Sequence, residues 1–449
     1  MRLKALFRGG PMGELYREAG LEKVIARSLN FILIGNICGG MWGTVCSGST
    51  TAMVALATEL GAGDLGFSLL TAIPSIAAIL QIPFSALVNR NHKRKKYMLT
   101  YGLVSRFLWL LFGLLPVVAP GHTGLYLMLG MLSVSSCLSS MINVCWFPWF
   151  SDLAPIQIRT RWLGTKETLC ALFNFALGLL TAWLLDNLPT PARFITVFGI
   201  AGLLGLTDMC SFGFAKEVYS ASATHAPLTR VVKDALRNRR FMRFTLMWTV
   251  WAFTWNMDAV YFTPYSMNEM GLSSMQVTLF GSMVASAVTA LMMPRWGRAL
   301  TRYTERSVML LCCLVASFMH LSFLLATPGS VVPLLMYNVV GAFFWSGANL
   351  GASSMQLSTT PDDTRPTYLA LFAVFTSLAG TTLGSLLGGT LLEWWHSAGF
   401  FAGSFDRYKA LILLSTILRT AGVCLLVPAM GEDPNNPKPS LFSKLKPRG

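Results

Sequence analysis

Twelve apolar stretches follow one another along this chain with only short polar intervals between them. A helix needs about 20 predominantly apolar residues to cross the hydrocarbon core of a bilayer, and a soluble fold of this size has no interior able to bury twelve of them. Composition agrees: 12% of the residues are charged and 53% hydrophobic, with a mean hydropathy of +0.55, whereas a soluble domain carries roughly twice that charged fraction. An all-α polytopic membrane protein is expected. The runs lie near residues 31–58, 66–88, 97–119, 124–150, 162–185 and 193–215, then 244–266, 274–294, 307–327, 331–357, 367–393 and 408–430.

The formal net charge is +15, which in a soluble chain would suggest nucleic acid. Here thirty of the 35 Lys and Arg fall in the first 30 residues, in every second loop or in the C-terminal tail. The alternate loops hold only Arg193, Arg407 and Lys409, and Arg106 and Arg419 lie inside spans. Basic loops stay on the cytoplasmic side, so both termini are expected to be cytoplasmic and the protein to reside in the cell (plasma) membrane. The lipid bilayer, with its anionic headgroups, is then the partner of the charge, and no nucleic acid is needed. The nine cysteines all sit in apolar stretches without a CxxC pair and read as small core residues. Residues 1–30 mix Glu14, Glu18 and Glu22 with Lys and Arg and lack an apolar core, so the first span is expected to direct insertion itself.

Residues 216–243 are the longest polar interval. Within them Leu228, Val231, Val232 and Leu236 share one helical face, which predicts a short amphipathic helix lying on the membrane. The expected organisation is an N-terminal cytoplasmic segment (1–30), a six-helix bundle (31–215), a linker (216–243), a second six-helix bundle (244–430) and a disordered cytoplasmic tail (431–449).

The two halves repeat each other. Asn143, Pro155, Arg159, Trp162 and Gly164 recur 206 residues later as Asn349, Pro361, Arg365, Tyr368 and Ala370. Ser85 to Arg94 matches Gly297 to Arg306 at an offset of 212. Duplicated halves in matching topological places are the mark of a transporter.

With twelve spans, cytoplasmic termini, a basic central loop and turns of the form Gly-x-x-x-Asp-Arg-x-Gly-x-Arg after spans two and eight, the chain resembles the major facilitator superfamily over almost its whole length. The string Asn143-x-x-Trp146-x-x-Trp149-x-x-Asp152-Leu-x-Pro155-x-x-x-Arg159-x-Arg161-x-x-Gly164 resembles a branch of bacterial permeases in that family. The loop acid of the family is replaced by Asn89 and Thr301 here. The inner-gate charges are therefore expected in Arg90, Arg302 and Arg365, with a latch moved to Asp152, Arg159 and Arg161.

That resemblance implies a central cavity lined by spans one, four, seven and ten, a site near the bilayer midplane, and alternating access by rocking of the halves. On those spans stand Trp42, Ser140, Asn143, Trp255, Asp258, Tyr261, Trp345 and Asn349, the candidate substrate-binding residues. A midplane Trp stacks on a ligand if it faces a cavity and is only bulk if it faces lipid, and Ser residues also serve simply to let helices approach. Asp258 is the one carboxylate well inside the four spans, and none of them carries Lys or Arg. A proton is its expected partner and proton coupling its expected role; the alternative is a fixed carboxylate in an outer gate. Arg106, Asp208 and Arg419, on the peripheral spans three, six and twelve, are expected to be structural.

No catalytic constellation is found. His92, His122, His225, His320 and His396 are scattered without HxxxH spacing, and there is no Walker A sequence. The chain is expected to be no enzyme and to hold no cofactor or metal. The leading expectation is a secondary active transporter, working as a monomer, that moves a small polar or amphipathic solute, with H+ as the coupling ion. The lack of Lys or Arg on the cavity spans disfavours a polyanion. A non-transporting receptor or scaffold on the same fold is the competing reading, favoured by the altered gate turns.

Overall fold

The computed structural model describes residues 16–17, 20–81, 83–84, 94–217, 228–361, 364–401, 406–431 and 439–441. Among them there is no strand. The chain divides into two compact units, one of Met1–Gly61 with Ala77–Ala223, the other of Ala62–Ile76 with Thr224–Gly449.

The first unit holds helices α1 (Lys23–Val45), α2 (Thr51–Glu59), α4 (Arg94–Phe112), α5 (His122–Leu153), α6 (Ile156–Asn187) and α7 (Ala192–Gly213), while nearly all of α3 (Asp64–Ala77) groups with the second unit. The second unit continues with α8 (Leu228–Arg237), α9 (Arg239–Asp258), α10 (Ser274–Arg302), α11 (Glu305–Leu325), α12 (Ala342–Thr359), α13 (Thr367–Ser397) and α14 (Arg407–Ala429). Eight of these rods contain a stretch long and apolar enough to cross a membrane. The other expected spans fall on α3, which is short, and on α4, α9 and α12, which carry charge or several amides and hydroxyls. Hydropathy is lowest where a membrane helix must face something other than lipid.

Helix ends follow local chemistry. The side chains of Asn238, Thr304 and Asp406 accept hydrogen bonds from the backbone N–H groups of Phe241, Ser307 and Lys409, capping α9, α11 and α14. Three expectations need correction. The first helix starts at Lys23, not near residue 31, and is interrupted between Val45 and Thr51, because hydropathy marks the hydrocarbon core while the helix runs on into the headgroup layer. On α8, Val231 and Ala235 are buried in the core of the second unit and Leu236 is exposed, so its apolar face is partly covered by protein. In the tail, Thr304 N–H donates to the Pro439 carbonyl (3.2 Å) and Leu441 N–H to Ser307 Oγ (3.1 Å), which ties residues 439–441 to the start of α11. Of the cysteines, Cys46, Cys145, Cys170, Cys312 and Cys313 are buried as expected of core residues, whereas Cys210 and Cys424 are exposed.

In the first unit α7 packs on α1 and α4, α4 on α5 and α1 on α6, around Leu29, Ile32, Ile142, Phe150, Trp162 and Phe212. In the second, α9 lies against both α13 and α14 while α11 contacts α12 and α14. That places α9 at the centre of the second unit, with Phe241, Phe244, Met247 and Trp251 in its core.

Candidate functional site

Trp251, Thr254, Trp255 and Asp258 recur at helical spacing, so α9 presents them on one face. Asp258 ends the α-helical part of this span, just before the tight turn Ala259–Tyr261. Ser415 and Arg419 stand four residues apart on α14 and reach the same carboxylate. Arg419 Nη2 donates to Asp258 Oδ1 (2.8 Å) and to the Thr254 carbonyl (2.8 Å), and Ser415 Oγ donates to Asp258 Oδ2 (2.6 Å). From α11, His320 Nδ1 lies 2.8 Å from that same Oδ2. Asp258, His320 and Arg419 are all but closed off from solvent, at 1%, 0% and 0% exposure. The expectation that Asp258 has no cationic neighbour is thus corrected: the cation comes from span twelve, whose long side chain turns inward.

A carboxylate oxygen only accepts, so Nδ1 of His320 carries the hydrogen and a neutral ring leaves Nε2 bare. His320 Nε2 and the Nε and Nη1 of Arg419 have no hydrogen-bond partner among the described residues. Burying an ion pair costs several kcal/mol per ion before the mutual attraction is counted, and a cluster left short of partners is a place where a proton or a ligand group can act.

Aromatic rings wall the cluster. Trp255 meets His320 edge-on at 4.3 Å, with the Arg419 guanidinium 5.2 Å from its ring, and Trp345 stacks on Trp255 at 4.6 Å and on Trp251 at 5.1 Å. Tyr337, at the start of a π-turn (Tyr337–Gly341), is 5.1 Å from His320. Trp255 and Trp345 are half-buried. Of the candidate residues, the fold therefore brings Trp255, Asp258 and Trp345 together. Tyr261 lies one turn further on, bonded to Ser68 and to the Ser385 carbonyl. Asn349 is half-buried, its carbonyl taken by Ser353 Oγ at 2.9 Å.

Trp42 belongs to a second buried pair, in the first unit. Arg106 Nη2 contacts Asp208 Oδ2 at 3.3 Å and its guanidinium lies 3.4 Å from the Trp42 ring centroid. The fit is tight, since a Cβ on Gly39 would stand 2.7 Å from Asp208 Oδ2. Ser140 is buried and Asn143 exposed. The two clusters are related by the internal repeat: Trp255 follows Trp42 by 213 residues, Arg419 follows Asp208 by 211, and Asp258 follows Cys46 by 212. His320 was missed by sequence reasoning, and the repeat was the available signal, because Arg106 also lies about one offset before it. Asp64 was missed too. It is buried, accepting from the Tyr408 hydroxyl (2.6 Å) and paired with Arg407 (3.3 Å).

Of the gating candidates, Asn89 and Arg90 lie outside the described residues, as do the side chains of Asp152, Arg159 and Arg365. Arg161 and Arg302 are exposed.

A family profile described as the Major Facilitator Superfamily matches residues 33–354. The chain belongs to the major facilitator superfamily. No curated protein sequence matches it, but solved members of this fold superpose over nearly the whole chain. A mutant form of the nucleoside transporter NupG gives a TM-score of 0.68 at 13% identity, covering 90% of this chain and 99% of that one. A bacterial homolog of the human lysosomal transporter Spinster gives 0.65 at 14%, covering 91% and 96%. A D-xylose–proton symporter gives 0.63 at 14%, covering 88% and 97%. At such identities the likeness is one of fold alone; it is the family match, with eight helices long and apolar enough to cross a membrane among the described residues, that makes this chain a multi-pass membrane protein.

Proposed function

We propose that the protein is a secondary active transporter that moves a small polar or amphipathic solute by alternating access, coupled to protons through the Asp258–His320–Arg419 cluster. The observation that carries the reading is the burial of a carboxylate in contact with both an imidazole and a guanidinium, beside two half-buried Trp rings. Ionisable groups so placed inside a membrane are expensive and mark ion or substrate paths. His320 Nε2, without a hydrogen-bond partner among the described residues, is an open acceptor beside the pair, and a proton taken up there adds a positive charge near Arg419 and loosens its hold on Asp258. A D-xylose–proton symporter among the neighbours in fold fits a proton-linked carrier of a polar solute.

In proteoliposomes containing the full chain, a solute selected from a panel by its stabilisation of the purified protein should accumulate along an imposed pH gradient. His320→Gln and Asp258→Asn should abolish that accumulation while sparing solute exchange at equal pH. Accumulation undiminished in a folded His320→Gln protein would overturn proton coupling at this cluster.

Both termini face the cytoplasm, so on a cysteine-free background single cysteines at Asn91, Ser222 and Asn435 should be shielded from impermeant thiol reagents in intact cells, and ones at Gly121, Asn268 and Gly403 labelled. External labelling at Ser222 would reverse the orientation. Asp152 pairs with Arg159 or Arg161 as the latch, so exchanging Asp152 and Arg159 should restore part of the activity lost in each single change.

A further inference from the structure

Where α1 begins and α7 ends, the first unit forms a cleft of about 440 Å3 lined by Lys23, Val24, Arg27, Phe31, Phe214 and Lys216, a size within the usual range for ligand sites of roughly 300–1,000 Å3. The two walls are held together from inside: Lys216 N–H donates to the buried Ser28 Oγ at 3.0 Å, and Ser28 Oγ donates to the Val24 carbonyl at 2.8 Å. Phe31 and Phe214 meet at 5.4 Å, and the Arg27 guanidinium lies 5.6 Å from the Phe31 ring. Lys23, Arg27 and Lys216 are exposed, and among the described residues none of them has a carboxylate within 4.0 Å. Beside these cations Val24 is 53% exposed and Phe214 71%.

Three cations that no described carboxylate neutralises, above an apolar floor exposed among the described residues, at the boundary where a spanning helix leaves the hydrocarbon, call for a ligand with both properties. We infer that this cleft binds an anionic phospholipid of the leaflet facing the N-terminus. Its phosphate sits among Lys23, Arg27 and Lys216, and the start of an acyl chain covers Val24 and Phe214. Basic pockets beside membrane helices attract such headgroups, and the positive end of the α1 dipole adds to the pull. A free inorganic anion would satisfy the cations but leave Phe214 and Val24 bare.

The test uses the full chain purified in a neutral detergent, with phosphatidylglycerol, phosphatidylcholine or inorganic phosphate added and retained lipid read by native mass spectrometry. One phosphatidylglycerol should be retained in preference to phosphatidylcholine. Each neutralised cation should weaken retention about fivefold, so Lys23→Gln with Arg27→Gln and Lys216→Gln should reduce it on the order of a hundredfold. Exposed Arg27→Gln alone, which loses the contact with the Phe31 ring, gives the first step of that series, and Phe214→Ser should weaken retention with all three charges kept. Equal retention of phosphatidylcholine, an Arg27→Gln protein indistinguishable from the parent, or displacement of the lipid by inorganic phosphate would overturn the assignment. No transported solute is needed, so the outcome is independent of proton coupling.

Discussion

Replacing Arg419 with Met should cost the protein on the order of 3–5 kcal/mol of stability, the usual effect of removing one partner from a buried ion pair. The loss exceeds the value of the hydrogen bonds themselves because Asp258 would stay behind, desolvated, with only Ser415 and His320 as donors. Arg419→Lys should recover only part: an ammonium can donate to two acceptors as Nη2 does to Asp258 Oδ1 and the Thr254 carbonyl, but it lacks the planar, weakly hydrated guanidinium that lies beside the Trp255 ring. The double variant Asp258→Asn with Arg419→Met removes both charges and should be markedly more stable than Arg419→Met alone. Thermal unfolding of these proteins and of the Asp258→Asn single variant measures the difference. A double variant that loses the sum of the single effects would mean that the two charges do not interact.

The second large effect concerns the helix pair that aims Asp258. Gly380, Gly384 and Gly388 on α13 recur every four residues and face α9. A Cβ on Gly384 would lie 2.2 Å from the Phe253 carbonyl oxygen, and one on Gly388 2.1 Å from the Met257 carbonyl oxygen. Both obstacles are backbone, so neither can swing aside and the helices would have to separate. Small residues at such a stripe are what let membrane helices approach closely. Gly384→Ala and Gly388→Ala should each cost about 1–3 kcal/mol, and the double variant should yield little folded protein by size-exclusion chromatography. Gly199→Ala, on α7 with open space around it, should be harmless. A monodisperse, fully stable Gly384→Ala/Gly388→Ala protein would show that α9 and α13 pack more loosely than these distances require. Because Met257 precedes Asp258, the same displacement should also weaken the Asp258–Arg419 contact.

Much of the architecture was legible because it rests on local sums. Run length and hydropathy fix which segments cross a bilayer, and the repeat of Pro155 and Arg159 at Pro361 and Arg365 reveals two related halves. Trp255, Trp345 and Asp258 were also found from sequence, since a carboxylate and indoles in mid-span are conspicuous against an apolar background.

Which groups meet Asp258 was not legible. Arg419 and His320 lie 161 and 62 residues away along the chain, on spans outside the four expected to line the cavity. A soluble helix shows its buried face as an apolar stripe, but a membrane helix is apolar all round, so its rotation about its own axis leaves no trace in hydropathy. Sequence alone determined the class of fold, the spans and the duplication. Only the tertiary structure decided that Arg419 turns inward to Asp258, that His320 completes the cluster, and that Trp42 packs instead on Arg106, because those pairings depend on helix rotation and on close approach at glycines such as Gly39 and Gly388.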